Sequence, residues 1–519
     1  MKNNRTGKSL RNSIVSLITQ IMSVLISFVV RTIFIKYLGT SYLGINGLFS
    51  NILSLLSFAE LGFGTAIIYA MYTPLAENNE KKISAYMNLY ATIYRVIGCF
   101  ILIIGTILIP FLSFFIGDMS QIPKDLPPIW IIYMLYLINS ASSYFFNYKR
   151  SIIIASQNGY IDSINQMGFI LLRNLLQIVV LIKFRSFVLY LIVQIISTIA
   201  GNIAISLKAD KLFPYMKEYR KEKVEKKEIK IIEKNVLAMA CHKFGAVIVS
   251  GTDNILITKF DGIAITGQYS NYELLKNTIR TVYLQILDPI TASVGNMIAT
   301  ENKEKTYKLF ERIFFINAYI AIIFTTCLIN LSSPFVQIFW GKECVIDKIV
   351  VFIIMLNFYI NCLRKTSQIY IDTTGLFWQI KWKSIIEAII NLLASIILGY
   401  YLRMGILGVL VGTLISNVTT NLWWEPYVVY KEYFERSLLL YFNEYFKFFV
   451  VLILSNIILL IIRNFLSINI FNFILLGMAT LIVPNILIYF LYNSNVNYKY
   501  YRDLIKNILI KMIKKEERT

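Results

Sequence analysis

The chain has 519 residues, of which 57% are hydrophobic, 14% aromatic and only 16% charged, with a mean hydropathy of +0.62. That balance excludes a soluble domain. The net charge of +21 does not by itself imply nucleic acid, because the basic residues gather in short stretches between apolar segments rather than on a folded basic module.

About 20 apolar residues cross the hydrocarbon core of a bilayer. In chain order the sequence supplies such segments near 13–36, 45–71, 84–109, 128–147, 161–182 and 187–207. Six more follow near 232–258, 266–290, 309–331, 348–370, 382–402 and 405–429, and a last pair near 444–462 and 470–492. The fold expected is an all-α polytopic membrane protein of about 14 transmembrane helices. Its parts are an N-terminal six-helix lobe at 1–207, a cytoplasmic basic linker at 208–231, and a C-terminal six-helix lobe at 232–430. An extra pair of membrane helices occupies 431–492, and a basic cytoplasmic tail 493–519.

Lys and Arg concentrate in alternate loops, the bias that sets orientation in a membrane, and they place both termini on the cytoplasmic side. The richest loop, from Lys208 to Lys234, reads as a solvated linker within reach of anionic lipid. The tail from Lys499 to Arg518 has amphipathic spacing, with Leu504, Ile508, Ile510 and Ile513 among lysines, and is expected to lie in the interface. Cys99, Cys241, Cys327, Cys344 and Cys362 form no close pair, so no disulfide framework or metal site is expected. No Gly-rich phosphate loop is present, no cofactor is implied, and no cleavable signal is evident. An active site on a soluble domain is excluded, so the chain is not expected to be an enzyme.

The two six-helix stretches repeat one another at roughly 220 residues' distance. Gly47-Leu48-Phe49-Ser50-Asn51 returns as Gly267-Gln268-Tyr269-Ser270-Asn271, and Glu77-Asn78-Asn79-Glu80-Lys81 as Glu301-Asn302-Lys303-Glu304-Lys305. Pro110-Phe111-Leu112 returns as Pro334-Phe335-Val336, and Asn174-Leu175-Leu176 as Asn391-Leu392-Leu393. An even number of spans per copy gives both the same orientation. Duplicated bundles with a site at their interface are a common transporter design.

Charges inside spans are costly, about 2.5–3.5 kcal/mol each on insertion scales, and normally face a bundle interior or a wet cavity. Helical spacing shows which faces they share. Ser27 and Arg31 lie on one stripe of the first span, and Asn46, Ser50, Leu53, Ser57 and Glu60 on one stripe of the second. His242, Ala246, Val249 and Asp253 do the same in the seventh, and Tyr269, Glu273, Lys276 and Arg280 in the eighth. These spans are the first two of each repeat, where the halves are expected to face each other. Arg31, Lys276 and Arg280 are therefore expected to line a substrate cavity, with Glu60, Asp253 and Glu273 as coupling or gating carboxylates. Internal salt bridges, such as Glu273 with Lys276 one turn on, are the structural alternative.

Arg95 and Arg173 lie on the third and fifth spans, expected to pack outside the central four. Glu387 shares a stripe with Ser384, Asn391 and Ser395, a buried polar seam. His242, beside Lys243, reads as structural, and Lys149-Arg150 with Arg364-Lys365 as headgroup anchors at span ends.

Tyr37-Leu38-Gly39, then Phe58-Ala59-Glu60-Leu61-Gly62-Phe63-Gly64-Thr65-Ala66, then Gly267-Gln268-Tyr269-Ser270-Asn271-Tyr272-Glu273 resemble the Wzx-type polysaccharide flippases. These belong to the multidrug/oligosaccharidyl-lipid/polysaccharide exporter superfamily, with the MATE antiporters and lipid II flippases. The resemblance implies two six-helix lobes that alternate between inward and outward openings. It implies transport of an undecaprenyl-diphosphate-linked sugar repeat unit across a bacterial cytoplasmic membrane, with membrane lipids, a polysaccharide polymerase and other export-pathway proteins as partners and no nucleic acid. The cationic cavity of such relatives corresponds here to Arg31, Lys276 and Arg280. This chain departs in having as many central carboxylates as cations. A MATE-like drug antiporter shares the fold but calls for an acidic cavity. A membrane polymerase or glycosyltransferase calls for a large outer loop, and that from Pro110 to Pro127 offers only Asp118, Lys124 and Asp125. A scaffold without transport fits the buried charges least.

Overall fold

Apolar runs of this length have no water in the bilayer to bond to, and a helix satisfies its own backbone groups. The computed structural model describes residues 22–60, 63–116, 122–123, 125–156, 158–376 and 378–504, with Thr19 and Lys506. Its regular structure is helical throughout these residues, with no strand among them.

The first helices are α1 (Met22–Leu38) and α2 (Thr40–Leu56), α3 (Phe63–Ala76) and α4 (Glu80–Ile107). Then come α5 (Ile129–Phe146), α6 (Arg150–Ala155), α7 (Gly159–Phe184) and α8 (Phe187–Leu212). The second series begins with α9 (Lys226–Asp261), α10 (Ile263–Leu287), α11 (Ile290–Thr300) and α12 (Lys303–Trp340). It continues with α13 (Lys348–Thr374), α14 (Lys383–Tyr401) and α15 (Gly405–Phe434). The final pair is α16 (Leu439–Asn464) and α17 (Ile470–Tyr492).

By length and composition, 10 of these helices are apolar enough to cross a membrane unaided. The remaining expected spans are α1, the broken α2–α3, α9 and α10. Those are the four that carry the polar stripes. A helix needs to be apolar only where it faces lipid and can carry charge on a side that faces the bundle interior.

The chain packs as two compact units, Met1–Ser270 and Asn271–Thr519, divided within α10. In the first, α4 packs on α5, α5 and α7 on α8, and α9 on α2 and α3. In the second, α12 packs on α13, α16 and α17, and α14 on α15. The basic linker is more ordered than a free tether. Asn88 Nδ2 donates to the carbonyls of Tyr219 and Glu222 at 3.1 and 3.0 Å, and Lys82 pairs with Glu228 at 2.5 Å. The tail begins as a docked segment, with the Tyr501 hydroxyl donating to the Arg312 carbonyl at 3.1 Å. Ile508, Ile510 and Ile513, the start of the first span before Thr19, Leu61, Gly62, Asp118 and Lys124 lie outside the described residues.

The repeat is visible in the backbone, and it corrects two of the letter matches, since Asn302 pairs with Asn79 rather than Asn78 and Gly267 with Gly44 rather than Gly47. Gly39 and Gly262 both take φ 89°, a conformation glycine adopts without the Cβ clash that penalises other residues. Each sits between two helices of equivalent position. Asn79 and Asn302, separated by the same interval, each cap a helix by accepting from the backbone N–H three residues on. On this register Gly44, not Gly47, is the counterpart of Gly267. The letter match of Gly47-Leu48-Phe49-Ser50-Asn51 slips by almost one helical turn, which keeps the face and so looks plausible in sequence.

The corrected pairing has a physical consequence inside the first unit. A methyl at Gly44 would run into the carbonyl oxygen of Ile263, and a methyl at Gly267 into that of Thr40. Each glycine therefore packs against the first helical residue of the other copy, a reciprocal crossing of the starts of α2 and α10.

Candidate functional site

In the first unit, Arg31 on α1 is half-buried and its NH2 donates to Ser270 Oγ at 2.5 Å. Its guanidinium also interacts electrostatically with Tyr190 of α8, and so does that of Arg173 on α7. Tyr190 is fixed by an edge-on contact with Phe34, ring centroids 5.1 Å apart. The Arg173 Nε is buried and has no hydrogen-bond partner among the described residues. Two guanidinium groups thus act on one phenol through space, and the Arg173 Nε has donor capacity to spare. A buried donor without an acceptor costs about 1–3 kcal/mol, so such a group needs an explanation. The sequence reading put Arg173 on an outlying span. Its position on the face of α7 that meets Tyr190 is tertiary information that helical spacing does not contain.

Glu60 lies where α2 tightens into a 3-10 turn before α3. Its Oε1 accepts from the Tyr94 hydroxyl, and Tyr144 bonds to the same carboxylate. Tyr90 stacks edge-on against Tyr94 at 4.2 Å. All three rings are buried. A carboxylate held by phenols, at a break in a helix, is stabilised without a cation. Asp253 is half-buried on α9. The side chains of His242 and Lys243 lie outside those described.

In the second unit, Lys276 pairs with Glu273 at 2.5 Å, the salt bridge one turn apart that the spacing allowed. Asn277 Nδ2 also reaches Glu273, at 3.4 Å. Arg280 is exposed and makes no hydrogen bond or ion pair among the described residues. The structure therefore brings Lys276 together with Glu273 and leaves Arg280 available on the same helix face. Arg95 is exposed on α4.

A second cluster was not foreseen as one. Arg364 Nε and NH2 donate to Glu425 at 2.9 and 2.6 Å, and Lys383 Nζ reaches Glu425 at 2.9 Å and Glu387 at 3.1 Å. Asn421 Nδ2 donates to Glu387 at 2.6 Å and Asn417 Nδ2 to Asn357 at 2.8 Å. Asn417 opens a π-helical turn in α15. That turn helps aim Asn417, Asn421 and Glu425 at α13 and α14. Arg364 was expected at the headgroups. Instead α13 continues to Thr374, and the guanidinium is buried with its side chain 13% exposed. Lys149 and Arg150 are likewise paired, with Asp210 at 2.6 Å and Asp162 at 2.7 Å. No cluster of three or more metal-ligating side chains occurs among the described residues.

This architecture is that of known transporters. The chain superposes on the lipid II flippase MurJ in an inward-closed conformation with a TM-score of 0.64, at 15% identity, covering 93% of this chain and 99% of MurJ. An inward-facing multidrug resistance MATE family transporter of the MOP superfamily matches at 0.61 and 14% identity, over 80% of this chain and 98% of its own. A MOP superfamily transporter from Pyrococcus furiosus, described by the reverse polarity of its binding pocket, matches at 0.54 and 14%, over 83% and 97%. The chain has the fold of the MOP-superfamily transporters. No protein-family model matches it, and neither does any curated protein.

Proposed function

We propose that the chain is a flippase that moves an undecaprenyl-diphosphate-linked oligosaccharide repeat unit from the inner to the outer leaflet of a bacterial cytoplasmic membrane by alternating access, with both termini on the cytoplasmic side. The observation that carries the reading is the buried Arg173 guanidinium, whose Nε has no hydrogen-bond partner among the described residues, with Arg31 acting on the same Tyr190. A diphosphate bears negative charge on planar-accessible oxygens, and guanidinium forks bind such groups bidentately while replacing their water. Lys276 and Arg280 supply further cations for the same substrate during its passage. Glu60, Asp253 and Glu273 are the carboxylates through which an ion gradient would drive opening. Partners follow from the substrate: a polymerase and other export-pathway proteins that receive the sugar.

A MATE-like antiporter of organic cations is the second reading, supported by the shared fold. Paired arginines repel such substrates, which favours the anionic cargo. The test replaces Arg31 and Arg173 by alanine, singly and together, in cells that make a surface polysaccharide. Export is expected to stop while the protein remains in the membrane, and lysine replacements are expected to keep part of it. Normal export by the double alanine variant would overturn the assignment. Lys276→Ala with Arg280→Ala separately tests the cations of α10.

A further inference from the structure

The two helices outside the repeat, α16 and α17, pack on α12 away from the residues of the proposed substrate path. The start of α12, the end of α15, the start of α16 and the end of α17 lie together in the second unit, with Lys303 paired to Glu435, Phe314 against Tyr441 and Phe448 against Tyr492. There they border a cleft of about 90 Å³. Its walls are rings, among them Phe310, Phe314, Tyr430, Tyr441 and Phe448, each 4% exposed or less. Rings of an interfacial belt stand out into the headgroups. These are turned inward, against one another, with Phe314 and Tyr441 centroids 5.0 Å apart and Phe310 and Tyr430 5.4 Å apart.

Two carboxylates, Glu311 and Glu444, stand among these rings. Glu444 is neutralised by Lys447 at 2.6 Å, and Glu304 nearby by Arg436. Glu311 bonds to the Tyr307 hydroxyl and forms no ion pair among the described residues. Glu311 thus has no direct salt bridge there, and the Arg436 guanidinium acts on it only through space. The same region already holds cations on rings, with Arg436 4.0 Å from the Tyr307 centroid and Arg312 4.2 Å from that of Tyr500. A cation over an aromatic face is attracted by the ring quadrupole, more so when desolvated.

We propose that this cleft binds the ammonium head group of a zwitterionic phospholipid, with Glu311 as its counter-ion and the rings as its cage. A lipid is favoured over a soluble amine because the cleft lies where the ends of apolar helices gather, and α16 with the segment that follows α17 supplies half of its wall. The extra helix pair is then a lipid-recognition element added to the repeated core.

Native mass spectrometry of the delipidated full-length protein, titrated with phosphatidylethanolamine and with phosphatidylglycerol, tests it. The wild-type chain should retain phosphatidylethanolamine in preference, and Glu311→Gln should weaken that binding by about tenfold, the size of a lost charge contact. Equal binding by Glu311→Gln and wild type would overturn the proposal. An N-acylated phosphatidylethanolamine, which lacks the charged amine, must bind the wild-type protein as weakly as phosphatidylglycerol; if it binds like the parent lipid, the ammonium is not what is recognised. Free ethanolamine that displaces the lipid at equal concentration would equally overturn the lipid assignment.

Discussion

Lys149–Asp210 in the first unit and Arg364–Glu425 in the second are the same ion pair twice, each cation and each acid displaced by the same interval along the chain. Their surroundings differ. The first pair has side chains 19% and 14% exposed and stays a simple pair. The second has side chains 13% and 4% exposed and is joined by Lys383, Glu387 and Asn421 into a network on three helices. Duplication kept the pairing and changed the dielectric around it. Charges taken deeper need more partners, because their desolvation is repaid only when every donor and acceptor is used. Buried charge in the second unit therefore serves cohesion, whereas the Arg173 guanidinium of the first unit retains an unused donor.

The comparison is most exposed at Glu425. Glu425→Gln strands both Arg364 and Lys383 in a dry site, and breaking a buried pair costs about 3–5 kcal/mol. Membrane abundance and thermal unfolding should both fall sharply. If Glu425→Gln accumulates and unfolds like wild type, the network is not what holds the second unit together. The equivalent change in the first unit, Asp210→Asn, removes one partner from a wetter pair. A loss of about 1–2 kcal/mol is expected there, between surface and fully buried values. A cost for Asp210→Asn equal to that of Glu425→Gln would erase the distinction.

Much of this was legible in the sequence, and the parts that were not share one cause. Apolar run length gives the helices, and the excess of charge on α1, α2, α9 and α10 marks the helices that differ from the ten apolar ones. Spacing shows which residues share a face, and it anticipated the Lys276–Glu273 pair. It does not show which faces of different helices meet. Arg364 and Glu425 are 61 residues apart, so Arg364 read alone as an end-of-span residue and Glu425 did not stand out. Arg173 reads as belonging to an outlying span, because nothing in its own helix shows that it shares with Arg31 an electrostatic interaction with Tyr190 of another helix. Letter matching misplaced the Gly44–Gly267 correspondence because helical faces recur every three or four residues. The positive φ of Gly39 and Gly262, absent from the letters, fixed it.

That crossing yields a sharper test of the duplication. Gly44→Ala and Gly267→Ala each place a methyl against a carbonyl of the other copy. Overpacking of this kind costs about 1–3 kcal/mol, and reciprocity predicts similar losses for the two. Harm from one variant and none from the other would show that the crossing is not symmetric in energy.

The smallest effect probes the two copies where they have diverged least. Asn79 accepts from the Lys82 N–H at 3.1 Å and Asn302 from the Lys305 N–H at 3.0 Å, each capping a long helix at an exposed start. Four N–H groups at a helix start lack intrahelical partners, and a capping side chain satisfies one of them. Replacing such a cap by alanine costs about 1 kcal/mol. Asn79→Ala and Asn302→Ala should therefore raise amide exchange in the first turns of α4 and α12 by similar factors, and aspartate at either place should restore protection. The neighbouring contacts differ, since Glu304 of α12 is bound to Arg436 while Lys82 of α4 is bound to Glu228. If the ion pairs rather than the caps held these turns, the response would follow the pairs, and Arg436→Ala would loosen α12 more than Asn302→Ala does. Equal cap effects with a smaller effect of Arg436→Ala would show that the capping asparagine, and not the charges grown up around it, is the inherited stop signal of both copies.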